Sequence, residues 1–346
     1  MTNLATDPCA GAGVLTNANL ALACLNQGAP ATVVSAGTIL NPTAGQANNT
    51  SGGNPNLTPE KATTYTIGAV FQPTNFISGL TITLDYYNIK ITQAVSNPTP
   101  DDVIFGCFGA PPYNITVARA NSVACTGIRR STVTGRLSGS VATVPGLPQP
   151  LTNAGRLSTD GVDLTINYKR DIGFADLNLS FNGNYTRKNV LQSSPLNAPR
   201  QCVGFYSANC GSQQGQIQPK YSFNQRTTLS FGDIDVSLLW RHLNAVKYEP
   251  TLLPQLFIGT ITGTGPEVGR SVNFNKISAY DYFDLTTRYQ VNDNIELTLS
   301  AFNLFDKKPP LVGGQGGATG ANSGNTFPSV YDVVGRRYSV TAHFKF

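Results

Sequence analysis

Cysteine is the residue type in this chain with the most chemistry to offer. Cys9 and Cys24, Cys107 and Cys125, and Cys202 and Cys210 come as close pairs, each inside a segment rich in Pro, Gly and Asn. Six cysteines admit many connectivities and sequence alone does not choose among them, but local bridges are the simplest reading. A bridge closing a loop of about 15 residues stabilises it by roughly 3 kcal/mol. Disulfides imply an oxidising compartment such as a periplasm or a cell surface; reduced cytosolic thiols are the alternative. A metal site is disfavoured, because there is no CxxC and the chain has only two histidines, His242 and His343.

Other reactive groupings give way to plainer readings. Adjacent carboxylates occur at Asp101–Asp102 after Pro100, where a helix start in an extracellular loop accounts for them. The run from Asp101 to Phe108 is expected to be a short loop helix carrying Cys107. His242 and His343 fall on strands, away from any nucleophile turn, and His343 is expected to face a lumen. The glycine-rich stretch Gly313 to Gly324 has neither the strand-to-helix context nor the Lys of a phosphate loop, and reads as an extracellular loop. Asn114-Ile115-Thr116 and Asn184-Tyr185-Thr186 match a glycosylation pattern that is given no weight. No enzyme activity and no cofactor are expected.

The elements that would position anything are strands. Charged residues make up 12% of the 346, hydrophobic residues 40%, and the formal net charge is only +5. That mixture is too apolar for disorder, and no basic cluster interleaved with aromatics suggests nucleic acid as a partner. No apolar run of roughly 18 or more residues exists, and MTNLATDPCA has neither the basic nor the apolar region of a signal peptide.

Period-two alternation, by contrast, is pervasive. Tyr338, Val340, Ala342, Phe344 and Phe346 alternate with Arg337, Ser339, Thr341, His343 and Lys345. The same rhythm runs through Ile295–Ala301, Phe283–Val291, Ile234–Trp240, Leu177–Tyr185, Val162–Tyr168, Leu80–Tyr86 and Tyr65–Phe71. It is weaker over Phe223–Phe231, where Gln225 and Thr227 fall on the apolar side. None of these nine apolar faces carries Lys, Arg, Asp or Glu, and a Lys or Arg facing lipid at mid-depth costs about 2–4 kcal/mol.

The connections alternate as well. Short turns at Gln72–Gly79, Arg170–Ala175, Gly232–Asp233 and Asn292–Asn294 contrast with long segments at Thr92–Gly155, Gln192–Gln216, Lys247–Ser278 and Asp306–Gly335. All six cysteines lie on the long side, counting residues 1–58 as a further loop. Periplasmic turns and extracellular loops of a transmembrane barrel have this layout. A soluble β-sandwich also alternates, but its strands run about 5–6 residues, whereas several stretches here approach the roughly 9–11 that cross a bilayer. The fold expected is all-β, an antiparallel transmembrane β-barrel with long extracellular loops. Residues 1–58 form a loop region and chain start, and 59–346 the barrel part.

Four separated segments also resemble one family. NPNLTPEKATTYTIGAVFQP (Asn54–Pro73), GLTITLDYYNIKI (Gly79–Ile91), AFNLFDKKPP (Ala301–Pro310) and the terminal GRRYSVTAHFKF are similar to late barrel segments of TonB-dependent receptors. The resemblance implies about nine C-terminal strands of a barrel of about 22. It also implies a bacterial outer-membrane location and energy-coupled uptake of a scarce nutrient such as a ferric siderophore, cobalamin, haem or an oligosaccharide. The implied partners are outer-membrane lipid, a small nutrient ligand, the barrel-insertion machinery and the TonB complex, the last through a plug region missing here. Tyr338, Phe344 and Phe346 look like the signal read by the insertion machinery. Nine strands cannot close that barrel, so the chain is expected to be a fragment that does not transport alone.

Ligand contact is the least determined feature. Tyr113, Arg129, Arg130, Tyr206 and Lys247 could meet an anionic cargo, although solvated loop residues are the plainer reading. Two other functions compete with the receptor: a passive porin-like outer-membrane channel and a secreted β-rich binding or adhesion protein.

Overall fold

The computed structural model describes residues 2–4, 6–109, 113–193, 199–207, 216–248, 258–266, 268–312, 326–327 and 329–346. Nine long strands dominate it: β1 (Lys61–Phe71), β2 (Leu80–Ser96), β3 (Thr152–Asp171), β4 (Asp176–Gln192), β5 (Tyr221–Phe231), β6 (Ile234–Leu243), β7 (Tyr280–Asn292), β8 (Ile295–Phe302) and β9 (Arg337–Phe344). They pair in sequence order into one antiparallel sheet, with β1 and β9 at its edges. Each apolar stretch read from the sequence lies on one of these strands. β2, β3 and β4 run further, to 17, 20 and 17 residues, so they continue past the apolar band into polar sequence.

The register keeps one side of the sheet apolar from edge to edge. Val340 faces Leu299, which faces Thr287; Trp240 faces Phe283; Leu164 faces Leu84, which faces Ala69. Because side chains alternate with period two, a slip of one residue anywhere would expose this side's charged counterparts. Gln225 and Thr227, the polar pair in β5, answer each other, the Gln225 amide donating to the Thr227 hydroxyl at 2.7 Å. That hydrogen bond removes part of the cost of two polar groups on an apolar face.

No second layer covers this side. Among the described residues, the two buried apolar clusters are built from the loops, with only Tyr282 contributed by a long strand. Ile67 is 71% exposed, Leu84 49%, Leu299 55% and Val340 75%. Aromatic side chains collect at the two margins. Phe71, Phe76, Phe174, Phe231 and Phe346 lie at the short-turn end; Tyr65, Tyr185, Tyr221 and Phe305 lie at the other. Two aromatic girdles around an uncovered apolar band are the signature of a surface wetted by lipid.

Turns on one side are tight. Gly79 shows what tightness requires: its φ is +81°, and a Cβ there would sit 2.0 Å from the Lys169 carbonyl oxygen, whose own residue donates its N–H back to Gly79. A side chain is excluded on both counts. On the opposite side the last loop is pinned by the AFNLFD segment. The Asn303 amide N–H donates to Asp284 at 2.8 Å, and its side chain bonds both the N–H and the carbonyl of Lys307. Asp306 accepts from the Arg336 N–H at 3.0 Å and from the Lys308 ammonium, which together hold its carboxyl below the usual carboxylate range.

Within the segments read as long loops, residues 1–58 and Thr92–Gly155, the described residues fold together into a helical lobe at the long-loop end, and the helix expected over Asp101–Phe108 is present in it. It contains α1 (Gly13–Thr16), α2 (Ala18–Asn26), α3 (Ala31–Ala36), α4 (Pro100–Phe108), α5 (Val117–Ala120) and α6 (Val123–Thr126). α2 starts at the Asn17 cap and buries Leu20, Ala23 and Cys24; α4 starts at a Thr99–Asp102 capping box with Pro100 in its first turn. The two halves share one apolar core and a short parallel pairing of Asn49–Thr50 with Leu147–Pro148. Disulfides join Cys9 to Cys24 and Cys107 to Cys125. Cys202 is also disulfide-bonded, and Cys210 lies outside the described residues.

At the centre of the lobe, the Arg130 guanidinium bonds both Asp7 oxygens at 2.5 and 2.7 Å and the Gln27 side-chain oxygen at 2.6 Å. Both ion-pair side chains are fully buried. A second apolar cluster, of Tyr206, Ile217, Val246, Ile277, Tyr282, Val312, Phe327 and Tyr331, ties together the later loops. Burial pushes the Tyr206 and Tyr331 hydroxyls well above the ordinary tyrosine value.

Two outcomes follow from this architecture. Leu299→Arg, a change that water would tolerate at so exposed a position, lowers the unfolding free energy by about 2–4 kcal/mol in lipid vesicles, read by urea titration. The same change at Thr298, on the opposite face, costs far less. Arg130→Ala strands Asp7 inside the lobe at about 3–5 kcal/mol, so limited proteolysis cuts residues 1–58 and 97–151 while the sheet survives.

Candidate functional site

The side of the sheet opposite the apolar band is polar and internally paired. Arg241 on β6 makes a bidentate ion pair with Asp284 on β7, both bonds at 3.0 Å. Arg288 on β7 pairs with Asp235 on β6 and reaches Glu296 on β8 at 3.5 Å. Ser237 accepts from Arg226 at 2.9 Å and bonds Thr228 at 3.0 Å. Asn184 donates to Asp163 at 2.7 Å and to the Tyr87 hydroxyl at 3.1 Å. His343 stands opposite Glu296 on this same face. Cross-strand pairs of this kind are the sheet's counterpart of helix i, i+4 contacts.

A wall whose charges are matched in this way stays hydrated without presenting a strong field of one sign.

The loops are cross-braced. Arg200, in the connection after β4, lies 3.8 Å from Asp101 and 3.6 Å from Asp102 at the start of α4. The Ser193 hydroxyl donates to Asp102 as well. The paired carboxylates therefore join the lobe to the next loop, with one of them also capping a helix. Sequence reading assigned them only the helix start; their burial, at 8% and 7% exposure, shows the additional role.

The residues considered for ligand contact scatter. Arg130 is withdrawn, since its charge is spent on Asp7 deep in the lobe. Tyr206 is withdrawn too, because it is buried in the loop cluster with its hydroxyl bonded to the Phe274 carbonyl. Tyr113 packs its ring against Phe108, half-buried. Arg129 and Lys247 are exposed but belong to different loops, Arg129 paired through its backbone with Gly146 and Lys247 with Phe205. The structure does not bring the five together.

Tyr338 and Phe344 project from the exposed face of the last strand, and Phe346, two residues past its end, is wholly exposed. Further up the same face, a cluster not anticipated from the sequence surrounds His242. Its ring stacks between Tyr221 and Phe223, at 5.5 and 4.8 Å, and Nδ1 lies 2.7 Å from Asp281, which also accepts from Trp240 at 2.7 Å. The signal for it was present: His242 continues the apolar parity of Ile234, Val236, Leu238 and Trp240.

Comparison with known proteins bears on this architecture. No curated protein sequence matches the chain. Among solved structures, the ferric enterobactin receptor PfeA of Pseudomonas aeruginosa, crystallised with enterobactin, is similar at 15% identity and a TM-score of 0.50, over 86% of this chain and 33% of that one. The siderophore receptor PirA of Acinetobacter baumannii gives 15% identity and 0.47 over 86% and 33%. The FrpB iron transporter of Neisseria meningitidis gives 15% and 0.46 over the same shares. The chain thus spans about a third of the length of these proteins, and at such identities the likeness is one of fold. The family described as TonB dependent receptor-like, beta-barrel matches residues 19–304, most of the sheet and most of the lobe. The chain belongs to that family of outer-membrane transport barrels.

Proposed function

We propose that this chain forms the C-terminal part of the wall of an outer-membrane receptor that imports a scarce nutrient with energy supplied through TonB. The observation that carries the proposal is the division of the sheet into an uncovered apolar face and an ion-paired polar face, with a folded lobe built from the long connections at one end. A ferric siderophore is the cargo that the similar ferric enterobactin receptor, crystallised with enterobactin, favours. Cobalamin and oligosaccharides are the other classes of cargo such a wall accommodates.

The two sheet edges shape the proposal further. β1 and β9 have no neighbour on their outer sides among the described residues. In lipid each unsatisfied backbone group costs several kcal/mol, so both edges must meet further strands before the wall can function. Uptake therefore requires the remaining wall and the plug that contacts TonB. Tyr338, Phe344 and Phe346 serve as the insertion signal, presented on an accessible edge strand.

Cell fractionation tests the location. The chain is expected in the outer membrane, with a faster band on gels run without boiling; a soluble monomer in the absence of detergent refutes the membrane reading. Phe346→Ala is expected to lower the assembled fraction several-fold while total synthesis is unchanged. Equal assembly of the variant removes Phe346 from the signal.

A further inference from the structure

The outer face changes character at the upper ends of β1–β4. Tyr65 and Tyr86, 6.1 Å apart, mark the aromatic margin there. The next rows up pair Tyr65 with Asn88 and Asn88 with Asp160, then Thr63 with Lys90 and Lys90 with Ser158, then Lys61 with Thr92 and Thr92 with Arg156. Parity places Lys61, Lys90 and Arg156 on the same face as Ile67, Leu84 and Leu164. β4 adds a bulge: Gly161 faces Thr186 but Asp160 faces Lys188, so Arg187 is the extra residue. A bulge re-aims a side chain, and here Arg187 turns onto Asp160, which is 1% exposed and takes a second contact from the Tyr86 hydroxyl at 3.3 Å. Lys220 joins from the start of β5, its ammonium 5.5 Å from the centre of the Tyr185 ring.

Six cations therefore border one carboxylate, and that carboxylate is used by Arg187. Among the described residues, Lys61, Lys90, Arg156 and Lys188 have no carboxylate within ion-pair distance; the first three are exposed and Lys188 is half-buried. Height matters as much as charge. From Leu80, beside the short turn, ten residues of β2 reach Lys90, about 33 Å along the strand and about 25 Å of height at a tilt near 40°. The cations begin where the apolar band ends.

We propose that this surface binds the phosphate groups of a lipid headgroup in the outer leaflet, most simply a phosphorylated glycolipid whose acyl chains lie on the apolar band below. The proposal rests on the reading of the sheet as bilayer-spanning. Continuity selects the lipid over a soluble anion, because the same ligand that satisfies Lys90, Arg156 and Lys188 also covers Ile67, Leu84 and Leu164. Arg187, held by Asp160, is the positioned member of the group; Lys61, Lys90, Arg156 and Lys188, the four without a carboxylate partner, supply the free charge.

The test uses the full chain in neutral detergent, first checked for heat-modifiable mobility, then titrated with diphosphorylated lipid A, with the same glycolipid after dephosphorylation, and with inorganic phosphate as competitor. Bound lipid is counted by native mass spectrometry. The combined variant Lys90→Gln, Arg156→Gln, Lys188→Gln is expected to bind lipid A at least about tenfold more weakly, matching wild type with the dephosphorylated lipid. Lys169→Gln with Lys345→Gln, on the opposite face, is expected to bind as wild type. Equal binding of both lipids, an unaffected triple variant, or displacement by inorganic phosphate each overturns the lipid site while leaving the barrel intact. A chain that stays soluble and monomeric without detergent removes the bilayer reading, and the lipid surface falls with it.

Discussion

A backbone amide inside a bilayer has no water to turn to, and this requirement governs the rest of the chain. Every N–H and C=O crossing the apolar layer must find its partner in a neighbouring strand. Between β1 and β9 the nine strands meet it with one antiparallel ladder, interrupted by a few bulges, and leave only the two outer edges to other partners. Long strands, strict alternation and tight turns at one end all follow from keeping that ladder in register. So does the segregation of side chains: over the height of the apolar band, one face is committed to lipid and charges appear on the other.

The polar face is a consequence of the same commitment. Arg241 with Asp284 and Arg288 with Asp235 neutralise one another across adjacent strands, so the wall carries many ions with little net field. Pairs so close to solvent add little stability. Their value is geometric, since a bidentate pair fixes which strands are neighbours and at which register. The lobe obeys different rules. It folds as a small water-soluble body does, with an apolar core, capped helices, disulfides and one buried ion pair.

This contrast explains what could be read from the sequence. The strands were legible because lipid on one side and water on the other force a period of two, and nine stretches showed it. Even the weak stretch at Gln225 and Thr227 was a strand, its two polar residues bonded to each other. Of the lobe, only α4 was legible, because Pro100 followed by Asp101 and Asp102 marks a helix start. Leu20, Ala23 and Cys24 also have helical spacing after an Asn cap. The other helices, of four to nine residues, give too little periodicity to register against a background rich in Gly and Pro. Arg130 was hidden for another reason. Its partner Asp7 lies 123 residues away, and no local pattern distinguishes a buried guanidinium from a solvated one.

The lobe's two halves flank the β1–β2 hairpin in the chain. Asn49–Thr50 pairs with Leu147–Pro148, and between them in the chain Lys61 stands opposite Thr92, which brings segments nearly a hundred residues apart to the same end of a ladder. The hairpin thus does the work of a tether, lowering the entropy of closing a long loop. Each disulfide, Cys9 with Cys24 and Cys107 with Cys125, lies within one half and crosses no part of the hairpin. A strand pair buried in lipid becomes the clasp on which a water-soluble ornament is fastened.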